Sequence, residues 1–121
     1  MTTTDARVLR AECLSASWLA ESFAVDPARI EAMRRAGELI GMREPGSTTW
    51  LYPAWQLDGR EPKRVIVRIV AAARESGLDD ARLYEVLTGP LGMRGERRLV
   101  DLIAEGRDDE VVAAVRAARP R

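Results

Sequence analysis

Histidine is absent from this chain of 121 residues, and cysteine occurs once, at Cys13. An internal disulfide is therefore impossible, and a zinc site would lack its usual ligands. The most common general base is missing as well, and Cys13 falls on the apolar side of a short helix predicted over residues 5–13 rather than in an electropositive cleft. We therefore expect neither an enzyme nor a protein that holds a metal ion or another cofactor.

Long apolar runs are also missing, because no stretch approaches the roughly 20 residues that cross a membrane. The opening residues, MTTTDARVLR, do not follow the charged-then-apolar pattern of a secretory leader. The expectation from both observations is a cytoplasmic protein without a membrane partner.

Neither sign of charge is in excess, since 19 basic residues balance 19 acidic ones. This balance counts against a nucleic-acid binder, because neutralising phosphates usually requires an excess of basic residues. The segment 29–43 differs, since its arginines outnumber its two glutamates. Those arginines are Arg29, Arg34, Arg35 and Arg43. A basic face of this size predicts duplex binding that is modest and sensitive to salt.

The stretch VDPARIEAMRRAGEL, residues 25–39, carries the signals of both helix ends. Asp26 can accept hydrogen bonds from the N–H groups of the first turn, Pro27 suits the first helical position, and Gly37 suits the left-handed residue that follows a helix. Between these residues the apolar side chains form one stripe, with the arginines at its flanks or opposite. Such a helix is either an ordinary surface helix with solvated arginines or a helix that binds a partner.

A second helix is predicted just before it, in LSASWLAESFAVD, where either Ser15 or Ser17 can cap the N-terminus. Its apolar stripe is predicted to contain Trp18, Leu19 and Phe23. Two short helices joined by a tight turn have the layout of a helix-turn-helix.

The residues after Gly37 change to the pattern of a β-hairpin. Ile40 and Met42 alternate with polar or small residues, the sequence EPGS supplies a turn, and residues 48–52 are rich in β-branched and aromatic side chains. The aromatic residues in WLYPAW are predicted to pack in the core with one ring partly exposed. The alternative, a stacking platform for single-stranded nucleic acid, would require a basic groove around the rings.

Four short motifs in this region resemble the winged helix-turn-helix of MerR and excisionase-type DNA-binding proteins. They are Trp18-Leu19-Ala20, Val25-Asp26, Gly37-Glu38-Leu39 and Leu51-Tyr52-Pro53. In that family the wing usually ends in a basic-aromatic stretch, whereas this chain has TTWLYPAW without an arginine. The resemblance makes residues 27–36 the helix that enters the DNA groove, and we predict that Arg29 and Arg35 lie there. The phosphate and wing-tip contacts are predicted to come from Arg34, Arg43, Thr48 and Thr49.

The second half of the chain is predicted to be helical. A helix from Pro62 to Gly77 carries apolar residues on nearly every side, which predicts a central strut or a helix shared in a homodimer. Asp79 or Asp80 then caps a helix that stops at residues 89–90. A closing helix pair is predicted over residues 96–105 and 108–118, divided by Gly106.

The stretch TGPLGMRGERRLVDLIAEGRDDEVVAAVRAA is similar to the toxin-binding domain of Xre/MbcA/ParS-type antitoxins. Where many members of that family have a Thr-Pro or Arg-Pro step before the Leu-rich helix, this chain has Arg97-Arg98. The resemblance implies a protein that represses its own operon and neutralises a toxin. Its predicted partner-binding residues are Leu91, Leu99, Leu102, Val111, Arg119 and Arg121.

The sequence thus predicts a mainly α fold with a small β-hairpin wing. A winged helix-turn-helix over residues 1–60 is followed by a C-terminal helical bundle, residues 61–121, for partner binding or dimerisation. The predicted function is a DNA-binding transcriptional regulator, of the antitoxin-like autorepressor kind, that binds double-stranded DNA and a toxin. A homodimer is expected because one helix-turn-helix covers only one half-site. The alternative is a protein-interaction adaptor that uses the helix-turn-helix as a scaffold without binding DNA.

Overall fold

A computed structural model describes residues 12–44, 46–91 and 97–120, with Leu91 described by its backbone alone. They form a mainly helical structure with small antiparallel sheets, which confirms the coarse fold class. The chain divides into two compact units, Met1–Ile66 and Val67–Arg121, so the division falls inside a helix rather than at the predicted boundary after residue 60. Within the described ranges, no helix has both the length and the apolar character that crossing a bilayer requires.

The first unit begins with helix α1, Ala16–Phe23. Ser15 rather than Ser17 caps it, because the Ser15 Oγ accepts a hydrogen bond of 3.1 Å from the backbone N–H of Trp18. The helix ends at Ala24, whose backbone is left-handed with φ of 57°. A left-handed alanine is uncommon, and here it turns the chain sharply towards the next helix.

Helix α2, Pro27–Arg35, has the predicted ends. The Asp26 Oδ1 accepts a hydrogen bond of 3.0 Å from the N–H of Ala28, and proline occupies the first helical position. After the helix, Gly37 adopts a φ of 82°, and the N–H of Glu38 donates to the carbonyl of Met33 at 2.9 Å. Both ends of this helix are therefore set by residues within a few positions of it.

A three-stranded antiparallel sheet completes this part of the unit. Its strands are β1 (Cys13–Ser15), β2 (Met42–Arg43) and β3 (Trp50–Pro53), in the order β1-β3-β2. The pairing of β2 with β3 confirms the predicted hairpin. The helix predicted over residues 5–13 is wrong at Cys13, which lies buried in β1 opposite Pro53, because pairing with a distant strand outweighs the local apolar pattern. Residues 5–11 lie outside the described ranges.

The core of the first unit joins both helices to the sheet, with Leu19, Ala20, Ile30, Leu39 and Tyr52 buried in one cluster. Trp18 does not belong to it, since it is 50% exposed. The prediction for Trp18 is wrong because α1 turns Leu19 and Ala20 inward, and the adjacent position then points about 100° away from that face.

Gln56 is fully buried and holds the base of the hairpin closed. Its side-chain Oε1 accepts a 2.7 Å hydrogen bond from the N–H of Ile40, and its Nε2 donates at 2.7 Å to the carbonyl of the same residue. Gln56 ends a short 3₁₀ helix, Ala54–Gln56, and its own carbonyl accepts from the N–H of Lys63 at 2.7 Å. One side chain therefore satisfies both backbone polar groups of a buried residue 16 positions away.

Strands β4 (Leu57–Asp58) and β5 (Glu61–Pro62) pair next, followed by helix α3, Val65–Glu75. The predicted helical start at Pro62 is therefore wrong, because Pro62 pairs with Leu57 in this small sheet. The exposed side of α3 carries both apolar and charged residues. Exposed positions recur every three or four residues along it, and they include the charged Arg68 and Arg74 together with Val67.

The second unit contains the rest of α3 and three more helices: α4 (Asp80–Thr88), α5 (Leu99–Ala104) and α6 (Asp108–Ala117). Asp79 rather than Asp80 caps α4, since its Oδ1 accepts from the N–H of Arg82 at 2.8 Å. The predicted division at Gly106 is confirmed by its φ of 75°. Short strands β6 (Pro90–Leu91) and β7 (Arg97–Arg98) pair just before α5.

Helix α6 is attached to α3 near both of its ends. Arg68 donates to Asp109 at 2.7 Å, and the Ser76 hydroxyl donates to the carbonyl of Arg116 at 2.9 Å. The Arg116 guanidinium also lies 3.6 Å from the Glu75 carboxylate. Each exposed ion pair contributes little alone, but together these contacts fix the position of the last helix.

We expect Gln56→Leu to destabilise the protein by about 2–4 kcal/mol, because it leaves the buried N–H and carbonyl of Ile40 without partners. Urea unfolding followed by circular dichroism measures the change. The control is Glu21→Leu, which places the same side chain at an exposed position of α1 and should change stability little. If Gln56→Leu unfolded at the same urea concentration as the unchanged protein, this account of the hairpin base would be wrong.

Candidate nucleic-acid interface

The outward face of α2 presents two of the predicted DNA-binding arginines. Arg29 is exposed and has no ion pair within the part of the chain that the structure describes. The Arg35 side chain is 71% exposed, and its Nη2 lies 2.8 Å from the Glu31 Oε1. Arg29 and Arg35 are both exposed on α2, but only Arg35 lies beside Glu31, so the donors and the acceptor of this helix meet at the Glu31–Arg35 pair.

Arg34 is placed differently from the prediction that it contacts phosphate. Its side chain is only 12% exposed, and its guanidinium carbon lies 3.7 Å from the centre of the Trp50 ring. Its Nε is buried without a hydrogen-bond partner in the described residues. A guanidinium over an indole face gains about 0.5–2 kcal/mol, so Arg34 joins α2 to β3 rather than reaching outward.

Gly41 makes room for this stack. A Cβ atom at this position would lie 2.6 Å from the Arg34 Cδ and 3.1 Å from the Trp50 Cε3. Both distances are shorter than ordinary van der Waals contacts, so any larger residue must displace the arginine or the indole. The glycine before β2 is therefore a packing requirement of the contact between α2 and the sheet.

The hairpin turn carries the remaining predicted residues. Arg43 is exposed, with its guanidinium carbon 5.4 Å from the Trp50 ring centre. Thr48 and Thr49 are exposed in the turn, where the Thr49 N–H donates to the Ser47 Oγ at 3.0 Å. Hydroxyl groups in an exposed turn can donate to phosphate oxygens, so their placement is compatible with the predicted role.

A depression of about 530 Å³ lies between the N-terminal turns of α1 and α2 and strand β3. It is bordered by Ser15, Ala16, Ser17, Pro27, Ala28, Glu31, Thr49, Trp50 and Tyr52. Glu31 of α2 and Thr49 of the hairpin turn therefore border the same concave surface.

The predicted partner-binding residues do not form an exposed surface. Leu99, Leu102 and Val111 are buried, with exposures of 4%, 6% and 0%. Apolar residues at helical spacing mark a core face just as they mark a partner-binding face, and here they pack the unit's own core. Arg119 is exposed, and its carbonyl accepts a 2.9 Å hydrogen bond from the Arg82 Nε. The Leu91 side chain and Arg121 lie outside the described residues.

Sequence reasoning missed the roles of Trp50 and Gly41 in holding Arg34. The aromatic cluster was predicted to pack in the core with one partly exposed ring, whereas Trp50 and Trp55 are both partly exposed and only Tyr52 is buried. The pairing of Trp50 with an arginine on α2 leaves no local pattern in the sequence. In the described ranges, no three acidic, cysteine or histidine side chains are grouped as metal ligands.

Comparisons with known proteins bear on the fold alone. No protein-family model matches the chain, and no curated protein matches it either. Among solved structures, the NMR structure of Rv2175c matches with a TM-score of 0.74, covering 87% of this chain and 79% of that one at 19% sequence identity. At this identity the two chains share a fold, which by itself assigns no activity.

Gly41→Ala is expected to destabilise the protein by about 1–3 kcal/mol, because the added methyl group overlaps the Arg34 side chain. Thermal unfolding of Gly41→Ala, Arg34→Ala and the double variant measures both the loss and the coupling. If the overlap is the cause, the double variant loses less than the sum of the two single losses. Strict additivity would show that the methyl group is accommodated without moving Arg34.

Proposed function

We propose that the protein is a DNA-binding transcriptional regulator whose N-terminal unit is a winged helix-turn-helix. In this proposal α1 and α2 form the helix-turn-helix, α2 enters the major groove, and the β2–β3 hairpin is the wing. The observation that carries it is that Arg29 and Arg35 are both exposed on α2, and that Thr48 and Thr49 are exposed in the hairpin turn.

The packing of the unit supports the orientation of α2. Ile30 is fully buried against the same cluster as Leu19, so the opposite side of α2 is free for a ligand. Trp50 holds Arg34 from the sheet side, which fixes the helix relative to the hairpin. A rigid pair of helix and hairpin can contact a groove and the adjoining phosphates together, as duplex readers of this class do.

The charge of the interface predicts its affinity. With Arg34 stacked on Trp50 and Arg35 paired with Glu31, only a few positive charges remain for phosphates. Each neutralised phosphate adds to the salt dependence, so few contacts mean modest affinity for a single copy of the chain. We therefore propose a homodimer that covers two half-sites, although the exposed charges on α3 argue against placing the dimer contact there.

The toxin-neutralising function is part of the same proposal, with its surface revised. Since Leu99, Leu102 and Val111 are buried, a partner would contact the exposed side of α6, where Ala113 and Ala117 lie. Small exposed side chains let a second protein approach the helix closely. The rival function, an adaptor that does not bind DNA, is favoured by the zero net charge. Duplex binding separates the two.

Arg29→Ala and Arg35→Ala are each expected to weaken duplex binding, by about 1–3 kcal/mol for an arginine that contacts a base. Fluorescence anisotropy with the DNA upstream of the protein's own gene, at two salt concentrations, measures the loss. Arg60→Ala removes the same charge from the turn between β4 and β5 and serves as the control. Absence of salt-dependent duplex binding by the unchanged protein would refute the regulator and favour the adaptor.

Light scattering is expected to give the mass of a dimer for the purified protein, and a larger complex after co-expression with the product of the adjacent gene. Ala113→Glu and Ala117→Glu should abolish the larger complex without unfolding the chain, because both positions are exposed. A monomer at tens of micromolar would remove the proposed dimer. A complex unaffected by both substitutions would remove the proposed α6 surface.

A further inference from the structure

Glu31 is an acidic residue on the helix that the proposed function places in the DNA groove. It lies on the exposed side of α2, borders the depression between α1, α2 and β3, and has a side chain that is 49% exposed. An isolated carboxylate in this position would be repelled by DNA phosphates. If α2 binds DNA, Glu31 needs a favourable contact with the duplex that offsets this repulsion.

The neighbouring arginines neutralise the carboxylate on one side. Its Oε1 lies 2.8 Å from the Arg35 Nη2 and 3.6 Å from the Arg34 Nη2. Arg34 is in turn held over the Trp50 ring, so the carboxylate is oriented by a residue that is itself fixed. The Oε2 accepts no hydrogen bond that is found among the residues that the structure describes, and it remains able to accept one.

The hydrogen-bonding groups that the four bases present in the major groove differ in how well they fit a carboxylate oxygen. An ionised carboxylate only accepts hydrogen bonds, whereas thymine O4 and guanine O6 and N7 also accept, so these bases are disfavoured. Cytosine presents its N4 amino group as a donor in the major groove, and adenine presents a donor with an acceptor beside it. Cytosine is therefore the base that the free oxygen fits best.

We propose that Glu31 is a specificity-determining residue that accepts a hydrogen bond from cytosine N4. The Glu31–Arg35 ion pair, whose Oε1 and Nη2 lie 2.8 Å apart, holds the carboxylate in one orientation on α2. This inference rests on the proposed DNA binding and adds the base that the site prefers.

The test compares the base preference of three proteins. Sites are selected from a duplex library with randomised bases, and the enriched site and its single-base variants are titrated by fluorescence anisotropy. The unchanged protein is expected to prefer cytosine at one position by about 5- to 150-fold over the other bases. Glu31→Gln is expected to lose this preference and to accept adenine there, because an amide both donates and accepts.

The control is Glu38→Gln, which removes the same charge near the end of α2 but does not border the depression. Both variants should bind duplexes that lack the preferred cytosine more tightly, since each removes one negative charge, but only Glu31→Gln should change the ratio between bases. Glu31→Ala serves as a second variant and should flatten the preference without creating one for adenine.

The possible outcomes distinguish a failure of the Glu31 inference from a failure of the proposed DNA binding. If the unchanged protein binds no duplex, the proposed function fails and Glu31 has no base to read. If it binds duplex and both Glu31 variants keep the cytosine preference of the unchanged protein, DNA binding stands and the role of Glu31 is overturned.

Discussion

Two hydrogen bonds between the Gln56 amide and the backbone of Ile40 hold together the segment that enters the hairpin and the segment that leaves it. Ile40 lies between the end of α2 and strand β2, and Gln56 follows strand β3. Because the amide pairs with both polar groups of one residue, it fixes the position and the orientation of that backbone. The angle between α2 and the hairpin, and with it every contact across them, depends on this closure.

Arg34 of α2 is stacked on the Trp50 ring, so its guanidinium contacts the protein itself. Charged side chains near a binding face are thus divided between two tasks: Arg34 holds the sheet, and Arg29 and Arg35 remain outside. A count of arginines along the sequence cannot make this division, because it depends on whether an aromatic ring from another strand lies within about 6 Å of the guanidinium. The number of exposed arginines on this surface is therefore smaller than the number in the sequence of α2.

Features set by neighbouring residues could be predicted from the sequence, and features set by distant pairing could not. Asp26 begins α2 and Gly37 follows its end, as predicted, because each sets the backbone only within a few positions of itself. Cys13 and Pro62 were assigned to helices because nothing nearby indicates their strand partners. Leu99 and Val111 show a different limit: their periodicity correctly indicated helices, but the same pattern marks a core and a partner surface.

The reactivity of the Cys13 thiol can be used to measure local opening of the three-stranded sheet. Its thiol is buried in β1, which is an edge strand of the three-stranded sheet, and the chain has no other cysteine. A thiol reagent can therefore react only when that strand separates from β3 or when the whole unit unfolds. Since β1 ends at Ser15, which caps α1, the rate of alkylation reports how often the first helix loses its attachment to the sheet, without any introduced label.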